Sequence, residues 1–228
     1  MRSPLRTPMV LPLVRDASLV WAASGVVGVS FGAISVAGGL PVWAPVVMSL
    51  VVYAGSAQFS AVGLLLAGSA PLAAAATGLL LNTRLAAYGL AVADVIGRGR
   101  TARLLGAQLV TDETVAFALA QPGPERRRLA FWVSGLGLFA VWNVSVLAGA
   151  LAGRALGDTA AYGLDAAFPA VLAALVLPAV RDDARTRRCA LAGAGVALVA
   201  TPAVPAGVPV LLALTGLALY SGRPKGAA

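Results

Sequence analysis

Apolar residues along this chain come in long uninterrupted blocks rather than at the three-to-four spacing of a helix with one wet face. Seven blocks stand out, at 18–38, 42–67, 71–96, 129–153, 164–180, 188–201 and 207–222, the last two short. About 20 consecutive apolar residues are what an α-helix needs to cross the hydrocarbon of a bilayer. Gly38-Gly39-Leu40-Pro41, Gly68-Ser69-Ala70-Pro71 and Thr201-Pro202 separate neighbouring blocks, where glycine and proline end helices. The pattern predicts an all-α, polytopic helical membrane protein, with residues 1–228 forming a single transmembrane domain. The first block is longer than the apolar core of a signal peptide and other spans follow it, so it reads as a retained span.

Composition agrees. Of the 228 residues 59% are hydrophobic and 11% charged, too few charges to solvate a soluble surface. The formal net charge of +8 sits in short clusters between blocks: Arg2, Arg6 and Arg15; Arg98, Arg100 and Arg103; Arg126 to Arg128; Arg181, Arg185, Arg187 and Arg188; Arg223 and Lys225. They are not interleaved with aromatics, which argues against nucleic acid. Such clusters mark cytoplasmic ends, giving a multi-pass plasma (inner) membrane protein with a cytoplasmic carboxyl terminus. Three simple crossings before Arg98 would break that rule. The number before Arg98 is therefore expected to be even, through at least one broken or re-entrant helix in the amino-terminal half or through four short spans in 18–96. Segment 106–121 has basic residues at both ends and is expected to dip in and return, or to lie at the interface.

Polar residues inside the blocks are the candidates for function. Ser49, Tyr53, Ser56 and Ser60 would share one face of a helix through 42–67, and Gln58 would fall on the opposite side. Ala54-Gly55-Ser56-Ala57 permits either close helix packing or unwinding. Gln58 needs hydrogen-bond partners away from water. In 71–96, Thr77, Arg84 and Tyr88 line one face while Asn82 and Asp94 point elsewhere. A guanidinium at bilayer depth costs roughly 2.5 to 3.5 kcal/mol on insertion scales, so Arg84 implies a water-lined or protein-lined path. The bland alternative is that it snorkels to an interface. Asp112 and Glu113 diverge by about 100° on a helix, and one of them is expected to pair with Arg84 or to remain solvated on a loop. Asp165 reads as a helix-start residue or a ligand, and Trp132, Trp142, Asn143 and Ser145 as anchor and packing residues. Gly28 with Gly32, and Gly149 with Gly153, mark tight helix contacts.

Other chemistries lack their parts. There is no histidine, which removes a Ser-His hydrolase, a histidine metal site and a histidine proton relay. Lys225 is the sole lysine and lies in the tail, so no intramembrane Schiff base is available. Cys189 is the sole cysteine and only three methionines are present, which argues against a disulfide framework and soft-metal transport. No phosphate-binding Gly-x-x-x-x-Gly-Lys-Ser/Thr loop occurs. An enzyme is not expected, nor is a metal or cofactor; a secondary transporter needs nothing that is missing.

Phe31-Gly32, Tyr-Ala-Gly-Ser-Ala-Gln-Phe-Ser at 53–60, Asn-Thr-Arg-Leu-Ala-Ala-Tyr-Gly at 82–89, Thr-Asp-Glu-Thr-Val-Ala-Phe at 111–117 and the run 164–178 occur in one order. Together they resemble the AzlC family of branched-chain amino acid exporters. The resemblance implies a large membrane subunit exporting valine, leucine, isoleucine and similar neutral amino acids, usually with a small hydrophobic partner of the AzlD type. Tyr53, Gln58, Arg84, Tyr88, Asp112 and Glu113 occupy motif positions. Leu85 stands where family members often carry histidine, so coupling through that histidine is excluded. Residue reading and resemblance together give a substrate set of Tyr53, Gly55, Ser56, Gln58, Asn82, Arg84 and Tyr88. Asp112 and Glu113 are the candidates for handling a proton or the substrate ammonium. A passive channel and a non-transporting scaffold are the rival readings.

Overall fold

The computed structural model describes residues 7–156, 179–204 and 208–220, together with 173, 176 and 177. Every regular element among them is helical. Most of block 164–180, Asp165 included, lies outside the described residues.

Two long helices organise the chain. α1 (Thr7–Ala37) and α8 (Pro124–Leu156) have 31 and 33 residues, about 45 to 50 Å at 1.5 Å per residue. Within them Val10–Ala37 and Pro124–Ala155 are long and apolar enough to cross a membrane. They pack in parallel. Trp21 Nε1 donates to Ser134 O at 3.1 Å; Gly25 lies beside Val141, Gly28 beside Trp142 and Ser145, Gly32 beside Val146 and Ala150, and Gly153 beside Ala33. Because partner numbers rise together, both amino ends share one end of the molecule and Arg15 stands level with Arg128. At Gly32 and Gly149 a Cβ would overlap the carbonyl oxygens of Val146 and Val29. The two Gly-x-x-x-Gly pairs therefore form one interface, in which missing side chains let the backbones touch.

Beside this pair lie two helical hairpins that enter from opposite ends. The first begins where α1 stops: Gly39, with φ of 105°, turns the chain into α2 (Trp43–Val51), which descends along α8. At 52–54 the helix gives way, with Ala54 extended at φ −153° and ψ 98°. Val51, Val52 and Tyr53 are mediocre helix formers and Gly55 follows. Tyr53 packs edge-on against Phe139, ring centroids 4.9 Å apart, halfway along α8. Then α3 (Gly55–Leu66) climbs back until Leu66 rests against Gly38. Block 42–67 is thus two short helices, and the polar stripe expected along one helix is split. Ser49 on α2 donates to Asn143 Oδ1 at 2.6 Å, and Ser56 on α3 faces another way.

Gly68, with φ of 81°, ends α3, and Pro71 in the first turn starts α4 (Pro71–Ala91), the places that suit glycine and proline. It runs back toward the amino end of α8. A break at Val92 leads to α5 (Ala93–Ile96), which packs Val95 and Ile96 into the cluster around Phe131; Gly97 turns beside Arg128. From there α6 (Arg100–Gln108) rises to a tip at 109–111, where Leu109 and Thr114 pack on Gly135. α7 (Asp112–Leu119) descends again, and Gln121 Oε1 accepts from Arg126 Nε at 2.9 Å. Thr111 starts α7: its backbone is extended and its hydroxyl accepts the Thr114 N–H at 3.2 Å. Asp112 and Glu113 in the first turn complement the positive end of the helix dipole.

The arrangement of α1 with its hairpin recurs, turned end for end, in α4 and α5 with theirs. No internal sequence repeat announced it, which is usual for inverted repeats. The remaining described elements, α9 (Ala184–Ala200), α10 (Val208–Ala213) and a 3₁₀ segment (Leu214–Tyr220), pack on one another through Gly193 against Ala213 and Gly216 against Cys189.

Candidate functional site

The two hairpin tips meet halfway along α8, and Arg84 joins them. From the middle of α4 its guanidinium donates through one terminal nitrogen to Ser56 Oγ at 2.7 Å. The other terminal nitrogen lies 2.9 Å from Asp112 Oδ2. Ser56 is in the first turn of α3 and Asp112 opens α7, so one cation stands where two half-helices begin. Each of those ends carries partial positive charge. Only a carboxylate makes that crowding of positive potential tolerable, and Asp112 supplies it. Both side chains of the pair remain about 40% exposed (41% and 42%), which leaves a route for another anion to reach the guanidinium.

The two neighbouring acids part company. Glu113, turned by about 100° from Asp112, has no hydrogen bond or ion pair among the described residues. It lines a small cavity with Trp21, Thr114, Ser134 and Leu138 between α1, α7 and α8. That cavity has about 10 Å³, the space of one water. Tyr53 is buried within electrostatic reach of Glu113, and its hydroxyl has no partner.

Other expected members sit elsewhere. Gln58 is fully buried and neither amide atom has a partner among the described residues; two residues after Ser56, it is rotated about 200° from it on α3. It therefore lies on the flank away from Arg84 rather than beside it. Gly55 is pressed against the ring of Trp142, where a Cβ would come within 3.1 Å. Asn82 likewise points away from Arg84, its Oδ1 buried and unpartnered. Tyr88, one turn after Arg84, packs on the Val92, Val95 and Phe131 cluster. The structure thus gathers Arg84, Ser56 and Asp112, with Tyr53 and Glu113 beside them.

A family model described as AzlC protein matches residues 20–156. The chain belongs to the AzlC family. No curated protein and no solved structure matches it. In this AzlC protein the matched span reaches from α1 to the last residue of α8, so both hairpins and Arg84 fall inside it and α9 onward falls outside. AzlC proteins are linked to amino-acid transport, and with the long apolar helices this makes the chain a helical membrane protein. Two contacts at the tips escaped the sequence reading. Asn143, taken for helix packing, holds Ser49, and Gln108 donates through Nε2 to Leu50 O at 2.8 Å. Both join residues far apart in sequence, so no local pattern could show them.

Gln58 yields a test. A buried amide without partners costs about 1 to 3 kcal/mol, a cost that partners met in another state would offset. Gln58→Leu is expected to raise the melting temperature in detergent while lowering transport. A variant unchanged in both properties would assign Gln58 no role in transport.

Proposed function

We propose that this AzlC protein is a secondary transporter that exports branched-chain or similar neutral amino acids by alternating access around the hairpin tips. The observation that carries the reading is the Arg84 bridge between Ser56 and Asp112. A zwitterion inserts into it, its carboxylate taking the guanidinium and its ammonium taking the freed Asp112, so that one ion pair becomes two and no charge is left unpaired. Those contacts replace lost hydration. Tyr53, the freed backbone near Gly55, Gln58, Asn82 and Tyr88 complete the surroundings as the tips move, and apolar residues of α1 and α3 take the aliphatic side chain. Glu113, without an ion pair among the described residues, is the group assigned to coupling, while Asp112 stays bound to cations.

Membrane placement follows the same logic. Arg15 on α1 and the arginines at the amino ends of α6 and α8 gather at one end, taken as cytoplasmic in the plasma (inner) membrane. The hairpins are re-entrant, one from each side, and irregular backbone at their tips is tolerable where protein surrounds it. This gives the even crossing count before Arg98 that the arginines require. The carboxyl terminus is cytoplasmic. Leu72, Leu79 and Leu90 stand exposed along α4, an apolar face suited to lipid and to a small hydrophobic subunit of the AzlD type.

Counterflow of labelled valine into valine-loaded vesicles, with and without the small subunit, tests the proposal. Saturable, trans-stimulated uptake inhibited by leucine and isoleucine is the expected result. Uptake without saturation or trans-stimulation would indicate a channel, and none above empty vesicles a scaffold.

A further inference from the structure

We propose that Gln108 is a positioning residue that, together with the Arg84 bridge, ties the two hairpin tips shut and sets how readily the site admits substrate. The inference rests on the amino-acid transport reading above. Gln108 closes α6, and its amide nitrogen donates to the carbonyl of Leu50 at 2.8 Å. Leu50 lies in the last turn of α2, whose final carbonyls have no helical N–H to accept from; Ala54, which would supply one in a continuous helix, is extended.

The two ties straddle both breaks. Leu50 and Ser56 flank the break at 52–54, while Gln108 and Asp112 flank the break at 109–111. One tie is a hydrogen bond between the ends of α2 and α6. The other is Arg84 spanning the starts of α3 and α7. A zwitterion entering between Arg84 and Asp112 must spread α4 from α7, which pulls the second tip off the first and opens the Gln108 bond.

Breaking the bond leaves the Leu50 carbonyl without its donor at a helix end, so the bond opposes opening. Apparent affinity falls with the population of the closed, incompetent state. Losing one tie therefore favours the substrate. Gln108→Ala is expected to lower the half-saturating valine concentration in counterflow by roughly fivefold. Gln108→Lys, which restores an N–H donor at similar reach, should return it toward the wild-type value. Saturable transport with an unchanged or raised half-saturation in Gln108→Ala overturns the tie and leaves the transport reading standing. Absence of any saturable counterflow in the unmodified protein overturns both.

Cross-linking supplies a readout that does not depend on affinity. In a Cys189→Ser background, Leu50→Cys and Gln108→Cys are joined by a short reducible thiol cross-linker, and counterflow is compared in the same vesicles before and after. Cross-linked protein should lose about tenfold or more of its rate and regain it on reduction. Full activity with the tips covalently joined would show that they never part, and would overturn the proposal.

Discussion

Replacing Arg84 with alanine is expected to lower saturable valine counterflow by about a hundredfold, close to loss of function, because the variant removes a fork of charge-assisted hydrogen bonds from the substrate carboxylate. The side chain bonds Ser56 on one hairpin and Asp112 on the other, so the same substitution also leaves Asp112 without its cation. Those two consequences separate by a cycle. Arg84→Ala with Asp112→Ala removes both charges, and the double variant should recover yield and melting temperature while remaining inactive. Arg84→Lys keeps the charge but offers a point donor in place of a planar fork. It cannot reach Ser56 and a carboxylate in the same geometry, and an intermediate loss is expected. Wild-type transport in Arg84→Ala at normal expression would place the substrate elsewhere and end the proposal.

The second large effect concerns the scaffold. Gly149→Leu is expected to destabilise the fold by several kcal/mol, since a side chain there meets backbone and not a rotatable group. Its Cβ would overlap the Val29 carbonyl and come within 2.8 Å of the Val29 Cα. Helix α1 can yield only by leaving α8, and that would also strip Gly28 from Trp142 and Gly32 from Ala150. The measurement is thermal unfolding in detergent with the monodispersity of the purified protein as a check. Gly195→Leu makes the control, because a Cβ at Gly195 meets nothing within 4 Å. Equal melting temperatures for Gly149→Leu and the wild type would mean that α1 and α8 do not pack backbone to backbone.

Several features behind these expectations were legible in the residues. A guanidinium in an apolar block favours a nearby anion or a path to water, and Asp112 and Glu113 were the acids named as its possible partners. The structure chose Asp112. The two glycine pairs announced close helix contact, but their being halves of one parallel interface depends on Trp21 meeting Ser134, 113 positions further along the chain. The stripe of Ser49, Tyr53, Ser56 and Ser60 was read on a regular helix. It failed there because a three-residue interruption rotates everything after it, sending Ser49 to Asn143 and Ser56 to Arg84.

By itself, then, the sequence pointed to a helical chain with long apolar blocks suited to a bilayer, and to Arg84 with Asp112 or Glu113 as a candidate pair. Solvation sets those outcomes residue by residue, and hydrophobicity and charge are local properties. Tertiary structure alone decided that the hairpins start from opposite ends of α8, that Ser56 meets Arg84, and that Gln108 holds Leu50. These are matters of direction and register between elements 28 to 58 residues apart. Within an almost uniformly apolar chain the hydrophobic pattern is nearly the same on every face, so it carries no information about which face meets which.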